Sequence, residues 1–147
     1  MIYIKTTSKK IFEVFLDTSH AIALSAITDQ NHTKAIEIAE QIEDQNTRLV
    51  TTQAVLLGIG NALSKQKYRT AAIQLLESLE LDPNVEIVTL TNELYEAAFQ
   101  LFRSRQDKEW GLVDCISFIV MRSRGITTAL TADDHFNQAG FRALLKL

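Results

Sequence analysis

A chain of 147 residues that is 46% hydrophobic and 22% charged is typical of one globular domain, which excludes low-complexity disorder. The net charge of −3 argues against broad, sequence-independent binding to nucleic acid, although RNA could still be a substrate met through metal ions. The single cysteine, Cys115, excludes an internal disulfide, and we recognise neither a signal peptide nor a membrane-spanning apolar stretch, so we expect a cytoplasmic protein.

Short apolar runs recur along the chain and predict strands that are buried on both faces of a sheet. The first run, from Ile11 to Leu16, ends abruptly at Asp17. Further strands are predicted at 48–52, 85–90 and 126–130, with a last short strand at 141–145.

Apolar residues at helical spacing fill the segments between these strands. Thr18 or Ser19 can cap the first helix, Thr91 or Asn92 can cap a later one, and Gly125 is well placed to end the helix before the fourth strand. Helices are predicted from about residue 20 and over 31–44, 53–65, 68–79, 93–105 and 112–123.

Strands that alternate with helices indicate right-handed β-α-β crossovers. The predicted fold class is α/β: a three-layer α/β/α sandwich with a central, mainly parallel sheet of four to five strands, formed by residues 1–147 as a single domain. In such a sheet the functional site lies beyond the carboxyl ends of the strands.

Three aspartates fall where that edge of the sheet is expected. Asp17 directly follows the first strand, Asp133 comes just after the strand at 126–130, and Asp114 lies in the first turn of the helix before that strand. Carboxylates brought together repel one another unless a cation neutralises them, and oxygen ligands favour Mg²⁺ or Mn²⁺. A metal held this way can bind a phosphate and lower the pKa of a bound water. Each acid also has a simpler explanation, as the cap or turn residue of its own segment.

Four local strings resemble, in this order, the signature segments of the PIN-domain family: FLDTSHAIAL, TTQAVLLGIGNAL, WGLVDCISFIVM and ALTADDHFNQAGF. The resemblance extends from Phe15 to Phe141 and implies a PIN-like fold. Many bacterial members of this family are toxins of toxin–antitoxin pairs that cut RNA with Mg²⁺ or Mn²⁺. The resemblance therefore implies an RNA substrate, a small antitoxin protein as a partner and a homodimer.

The same resemblance implies roles for individual residues. Asp17, Asp114 and Asp133 would be the metal-binding, catalytic acids, and Thr18 and Thr131 would give polar support. Asp133 matches better than the acid that follows it, because the family pattern is an acid, any residue, then His-Phe.

One position departs from the family pattern. Similar proteins carry a further glutamate where this chain has Gly58, so the acidic site is degenerate there. A glycine inside a helix costs about 1 kcal/mol relative to alanine, so Gly58 marks either a lost side chain or a close backbone contact. Asn61, one turn further along the helix, could partly fill the gap directly or through water, or it could be purely structural.

Several other residues near these segments each allow two interpretations. His135 either touches the site or packs and caps a turn, and Trp110 either stacks on a base or anchors its loop against the core. Arg103, Arg105 and Lys108 either approach a phosphate backbone or form a solvated face.

The leading functional hypothesis is a metal-dependent endoribonuclease that hydrolyses RNA phosphodiester bonds, the toxin of a toxin–antitoxin pair. A second hypothesis, favoured by Gly58, is a catalytically weakened or inactive PIN-like domain that binds RNA or protein. A third is a phosphate-handling hydrolase on a similar α/β scaffold.

Overall fold

The computed structural model describes residues 12–25, 30–45 and 47–146. Within these residues five strands form one sheet in the order β3-β2-β1-β4-β5, and every neighbouring pair is parallel. The strands are β1 (Glu13–Leu16), β2 (Arg48–Thr52), β3 (Val85–Val88), β4 (Thr128–Leu130) and β5 (Arg142–Ala143).

Pairs of helices connect β1 to β2, β2 to β3 and β3 to β4, and they cover the sheet as the outer layers of a three-layer α/β/α sandwich. The predicted fold class is therefore confirmed. The helices are α1 (Thr18–Ser25), α2 (His32–Asp44), α3 (Gln53–Ala62), α4 (Gln66–Leu81), α5 (Asn92–Ser104), α6 (Leu112–Arg124) and α7 (Asp134–Gln138), followed by a short 3-10 helix, Leu144–Lys146. None of the helices in these ranges combines the length and apolarity needed to cross a membrane.

Several predicted boundaries move by a few residues. The fourth strand begins at Thr128 rather than at Ile126, because the Ile126 N–H still bonds to Met121 O in the turn that ends α6. The third strand stops at Val88, and the Leu90 N–H donates to the Gln53 side chain instead of to a neighbouring strand.

The helices also differ in their limits. The helix predicted at 53–65 ends at 62, and the one predicted at 68–79 runs over 66–81. Thr18 and Ser19, predicted as caps, are the first two residues of α1. The start of the first predicted strand, Ile11, lies outside the described residues. The structure adds α7, which the sequence did not predict, directly after Asp133.

Candidate functional site

Asp17 is held at the carboxyl end of β1 by its backbone and by its side chain. The Asp17 N–H donates to Leu130 O of the neighbouring strand at 3.2 Å. The side chain is 5% exposed, and its Oδ2 accepts from Thr131 Oγ1 at 2.7 Å, from Ser19 Oγ at 3.0 Å and from Ser19 N at 3.4 Å. A carboxylate that accepts several hydrogen bonds on one oxygen has little freedom to rotate.

The two hydroxyls that bind Asp17 also fix the loop after β4. Thr131 Oγ1 accepts from the Asp133 N–H at 3.0 Å, and Ser19 Oγ accepts from the Ala132 N–H at 2.9 Å. The hydroxyl oxygens of Ser19 and Thr131 lie 3.0 Å apart. The network therefore joins the end of β1 to the segment that carries Asp133.

Asp114 occupies the first turn of α6, where a carboxylate interacts favourably with the helix N-terminus. Its Oδ2 accepts from the Gly111 N–H at 3.1 Å and lies 3.0 Å from His135 Nδ1. The acid thus caps its own helix and at the same time faces a residue of α7. Asp114 therefore has the capping role that its position predicts, and the same carboxylate oxygen also lies next to His135.

Asp133 and His135 complete the group around Asp114. Asp133 Oδ1 accepts from the His135 N–H at 2.9 Å and lies 3.3 Å from His135 Nδ1. One ligand atom from each of Asp114, Asp133 and His135 can be chosen so that all three lie within 4.8 Å of one another, and each residue is partly exposed. Of the two interpretations of His135, the structure supports contact with the acids.

Burial and neighbouring carboxylates raise the pKa values of Asp17 and Asp114, as expected where a cation would be stabilised. Burial raises the pKa of Asp17, and the charge of Asp114 raises it further, against the lowering effect of the hydrogen bonds from Thr131 and Ser19. Burial also raises the pKa of Asp114, and the charge of Asp133 adds to it, although the hydrogen bonds to His135 and Gly111 oppose this.

His135 responds to the same charges in the opposite sense. Burial alone would lower its pKa, but the hydrogen bond to Asp114 and the charges of Asp133 and Asp114 outweigh burial and raise it. The acids therefore stabilise positive charge in their midst. The carboxylate oxygens of this group suit Mg²⁺ or Mn²⁺, so the acids fit the implied metal, and a neutral imidazole nitrogen beside them is a ligand that Mn²⁺ accepts more readily than the harder Mg²⁺.

The Thr18 side chain lies close to the space that a Cβ at position 58 would occupy. A Cβ added at position 58 would lie 3.0 Å from Thr18 Oγ1, a spacing at which one of the two groups must shift. A side chain at position 58 would therefore press on Thr18, the residue directly after Asp17. Asn61, one turn along α3, is exposed to solvent.

The aromatic and basic residues before α6 make contacts within the protein. Trp110 is buried with its ring edge against Phe118, so it anchors the loop. The Arg105 guanidinium lies 5.0 Å from the centre of the Trp110 ring, and its Nε and one Nη donate to the two carboxylate oxygens of Asp107. Arg103 lies over the Phe99 ring on α5.

The protein is a parallel α/β/α sandwich. At the carboxyl edge of its sheet it carries the hydrogen-bond network of Asp17 and the cluster of Asp114, Asp133 and His135. The chain belongs to the PIN domain family, whose pattern matches residues 14–142. The resemblance drawn from the four local strings is thereby confirmed.

Two findings concern a particular relative. The "23S rRNA-specific endonuclease VapC20" of Mycobacterium tuberculosis, found in two strains, is 29% identical to this chain over 128 residues, which is 87% of this chain and 95% of that protein. The crystal structure of M. tuberculosis VapC20, described as a sarcin–ricin loop cleaving toxin, matches with a TM-score of 0.77 at 28% identity and the same coverage.

Proposed function

We propose that this protein is a metal-dependent endoribonuclease that hydrolyses RNA phosphodiester bonds and acts as the toxin of a toxin–antitoxin pair. The observation that carries the proposal is the meeting of Asp114, Asp133 and His135 within 4.8 Å, next to the buried network of Asp17. Membership of the PIN domain family and similarity to an RNA endonuclease support the reaction class.

Each acid would contribute to one binding site for one or two divalent ions. Asp17, Asp114 and Asp133 would hold Mg²⁺ or Mn²⁺, with His135 as an additional ligand. When bound, such an ion neutralises phosphate charge and lowers the pKa of a coordinated water. Thr131 and Ser19 orient the Asp17 carboxylate, and the Gly111 N–H orients that of Asp114. Partners of this kind are typically worth a factor of about 10 to 100 in metal affinity.

The proposal extends to the protein partners. A small antitoxin protein and a second copy of this chain are the partners that the family resemblance implies, and the toxin description of VapC20 supports the first of them. A cytoplasmic location stays a prediction from composition.

Removal of divalent metal provides the direct test. Purified protein should cleave a sarcin–ricin loop RNA in Mg²⁺ or Mn²⁺, lose at least about a hundredfold in rate in excess EDTA, and recover when the ion is restored. The measurement is the initial rate of product formation on a denaturing gel. Cleavage that persists unchanged in EDTA would contradict the proposed chemistry.

A second candidate is a PIN-like domain with weak or absent cleavage that binds RNA or protein. The observation in its favour is Gly58, since this position offers no carboxylate and is closely approached by Thr18. The two candidates differ in the same assay. The second predicts binding of the RNA without metal-dependent cleavage.

Gly58→Glu should add a carboxylate to the site once Thr18 is shortened. In a Thr18→Ala background, which removes the atom 3.0 Å from the new Cβ, we expect Mg²⁺ affinity to rise about tenfold and cleavage to increase with it. Isothermal titration calorimetry measures the affinity. Leu57→Glu is the matched control, because this neighbouring residue is 65% exposed and receives the same charge on the same helix. An equal gain from both substitutions would refute a specific role for position 58.

A further inference from the structure

A chain of aromatic rings lies between the elements that carry the acids. Trp110 meets Phe118 edge-on with ring centroids 5.1 Å apart, and Phe118 meets Phe136 edge-on at 5.0 Å. Phe136 in turn lies 6.3 Å from Phe15. All four side chains are buried. The loop before α6, α6 itself, α7 and β1 are therefore in contact through one continuous set of rings.

Each ring is close in sequence to a residue of the candidate site. Phe15 comes two residues before Asp17, Phe118 is one turn along α6 from Asp114, and Phe136 follows His135. Displacement of a ring would therefore move a ligand of the proposed metal. Close-packed aromatic contacts of this kind resist small shifts.

Trp110, the first ring of this set, is also linked to α7 by a side-chain hydrogen bond. The Trp110 Nε1–H donates to Gln138 Oε1 at 3.1 Å. Trp110 directly precedes Gly111, whose N–H binds the Asp114 carboxylate, and Gln138 is the last residue of α7. The bond therefore connects the segment that orients Asp114 to the helix that carries His135.

We propose that Gln138 is a positioning residue for the metal site, acting through Trp110. This inference rests on the proposed function. Helix α7 has five residues, too few to be stable without tertiary support. The Asp133 side chain caps its first turn, Asn137 Oδ1 accepts from the Ala143 N–H, and the Trp110–Gln138 bond connects its last residue to the loop directly before α6. Loss of that bond would allow α7 to shift and would widen the spacing between Asp114 and His135.

Gln138→Met tests this role, because methionine keeps the length of the side chain and removes the strong acceptor. The full chain should bind Mn²⁺ about fivefold more weakly by titration calorimetry, as expected for the loss of one hydrogen bond. Gln138 is exposed, so the thermal unfolding midpoint should stay close to that of Gln74→Met, an exposed glutamine on α4 changed in the same way. The emission of Trp110, the sole tryptophan, should shift in Gln138→Met alone.

A double-mutant cycle with Trp110→Phe identifies the path of the effect. If Gln138 acts through the indole N–H, Gln138→Met should have no further effect on Mn²⁺ affinity in the Trp110→Phe background. The inference would be overturned if Gln138→Met lowered the Mn²⁺ affinity fivefold in both backgrounds, or if it left the affinity of the otherwise unchanged chain as it was. It would also be overturned if the loss of affinity matched the fraction of protein that is unfolded. Failure of the wild-type protein to bind Mn²⁺ would instead contradict the proposed function itself, and this inference with it.

Discussion

Asp133→Asn is expected to fold normally and to lose RNA cleavage by on the order of a hundredfold or more, since even residues that only support a metal ligand are worth 10- to 100-fold. Asp133 has two functions that this substitution separates. Its Oδ1 caps α7 by accepting from the His135 N–H at 2.9 Å, and asparagine caps a helix about as well as aspartate. The negative charge that faces Asp114 and His135 is lost.

Asp134→Asn is the matched control for this prediction. Asp134 is adjacent and exposed, and its Oδ1 accepts from Asn137 Nδ2, a bond that asparagine can also accept. Both variants therefore remove one negative charge from neighbouring positions, and only Asp133 belongs to the cluster. Initial cleavage rates in Mg²⁺ and unfolding midpoints should be measured for both. Equal losses of activity in the two variants would mean that net charge, rather than the cluster, governs cleavage.

Most of the architecture could be predicted from local signals. Short apolar runs predicted the strands, and alternation with helices predicted that the sheet is parallel, which is what brings remote strand ends to one edge. Two residues at helix ends were predicted from their chemistry, Gly125 as the only candidate at its position and Thr91 as an alternative to Asn92. Thr91 caps α5 by accepting from the Leu94 N–H, and Gly125 ends α6 with a φ of 68°, in the left-handed region that glycine adopts easily.

The composition of the acidic cluster was harder to predict. The sequence predicted that Asp17, Asp114 and Asp133 would meet at one edge of the sheet, but it predicted neither α7 nor a cluster made by Asp114 and Asp133 with His135. Without that helix His135 had no defined direction, and the 3.0 Å approach of its Nδ1 to Asp114 depends on how α7 meets α6. Ser19 was considered only as a cap, since a hydroxyl that bridges two remote segments has no local signature.

Gly58 shows what geometry adds to a sequence pattern. Its helical context left two explanations open, a lost side chain or a close contact. The structure adds that a Cβ at position 58 would lie 3.0 Å from Thr18 Oγ1, a distance that depends on the packing of α1 against α3 and not on either segment alone.

His20 is a buried titratable residue that does not belong to the cluster of Asp114, Asp133 and His135. It is 1% exposed, and within the described residues its Nδ1 has no hydrogen-bond partner. It lines a small apolar cavity of about 90 Å³ together with Leu16, Leu24 and Leu130 among others. Burial in these surroundings lowers the pKa of His20 to about 4, from an ordinary value of 6.5.

Acid should therefore destabilise the folded protein through His20. Between pH 6.5 and 4 the unfolded chain binds the proton and the folded chain does not, so the contribution is complete above pH 6.5 and is lost as the pH falls toward 4. The loss should reach about 3 kcal/mol of unfolding free energy by pH 4. His20→Leu, which fills the same space without a titrating group, should lack this component and should be no less stable at pH 7. Urea unfolding of both proteins at pH 7, 5.5 and 4 measures the difference, in which the shared contributions of the carboxylates cancel. Parallel curves for the two proteins would show that His20 titrates alike in both states.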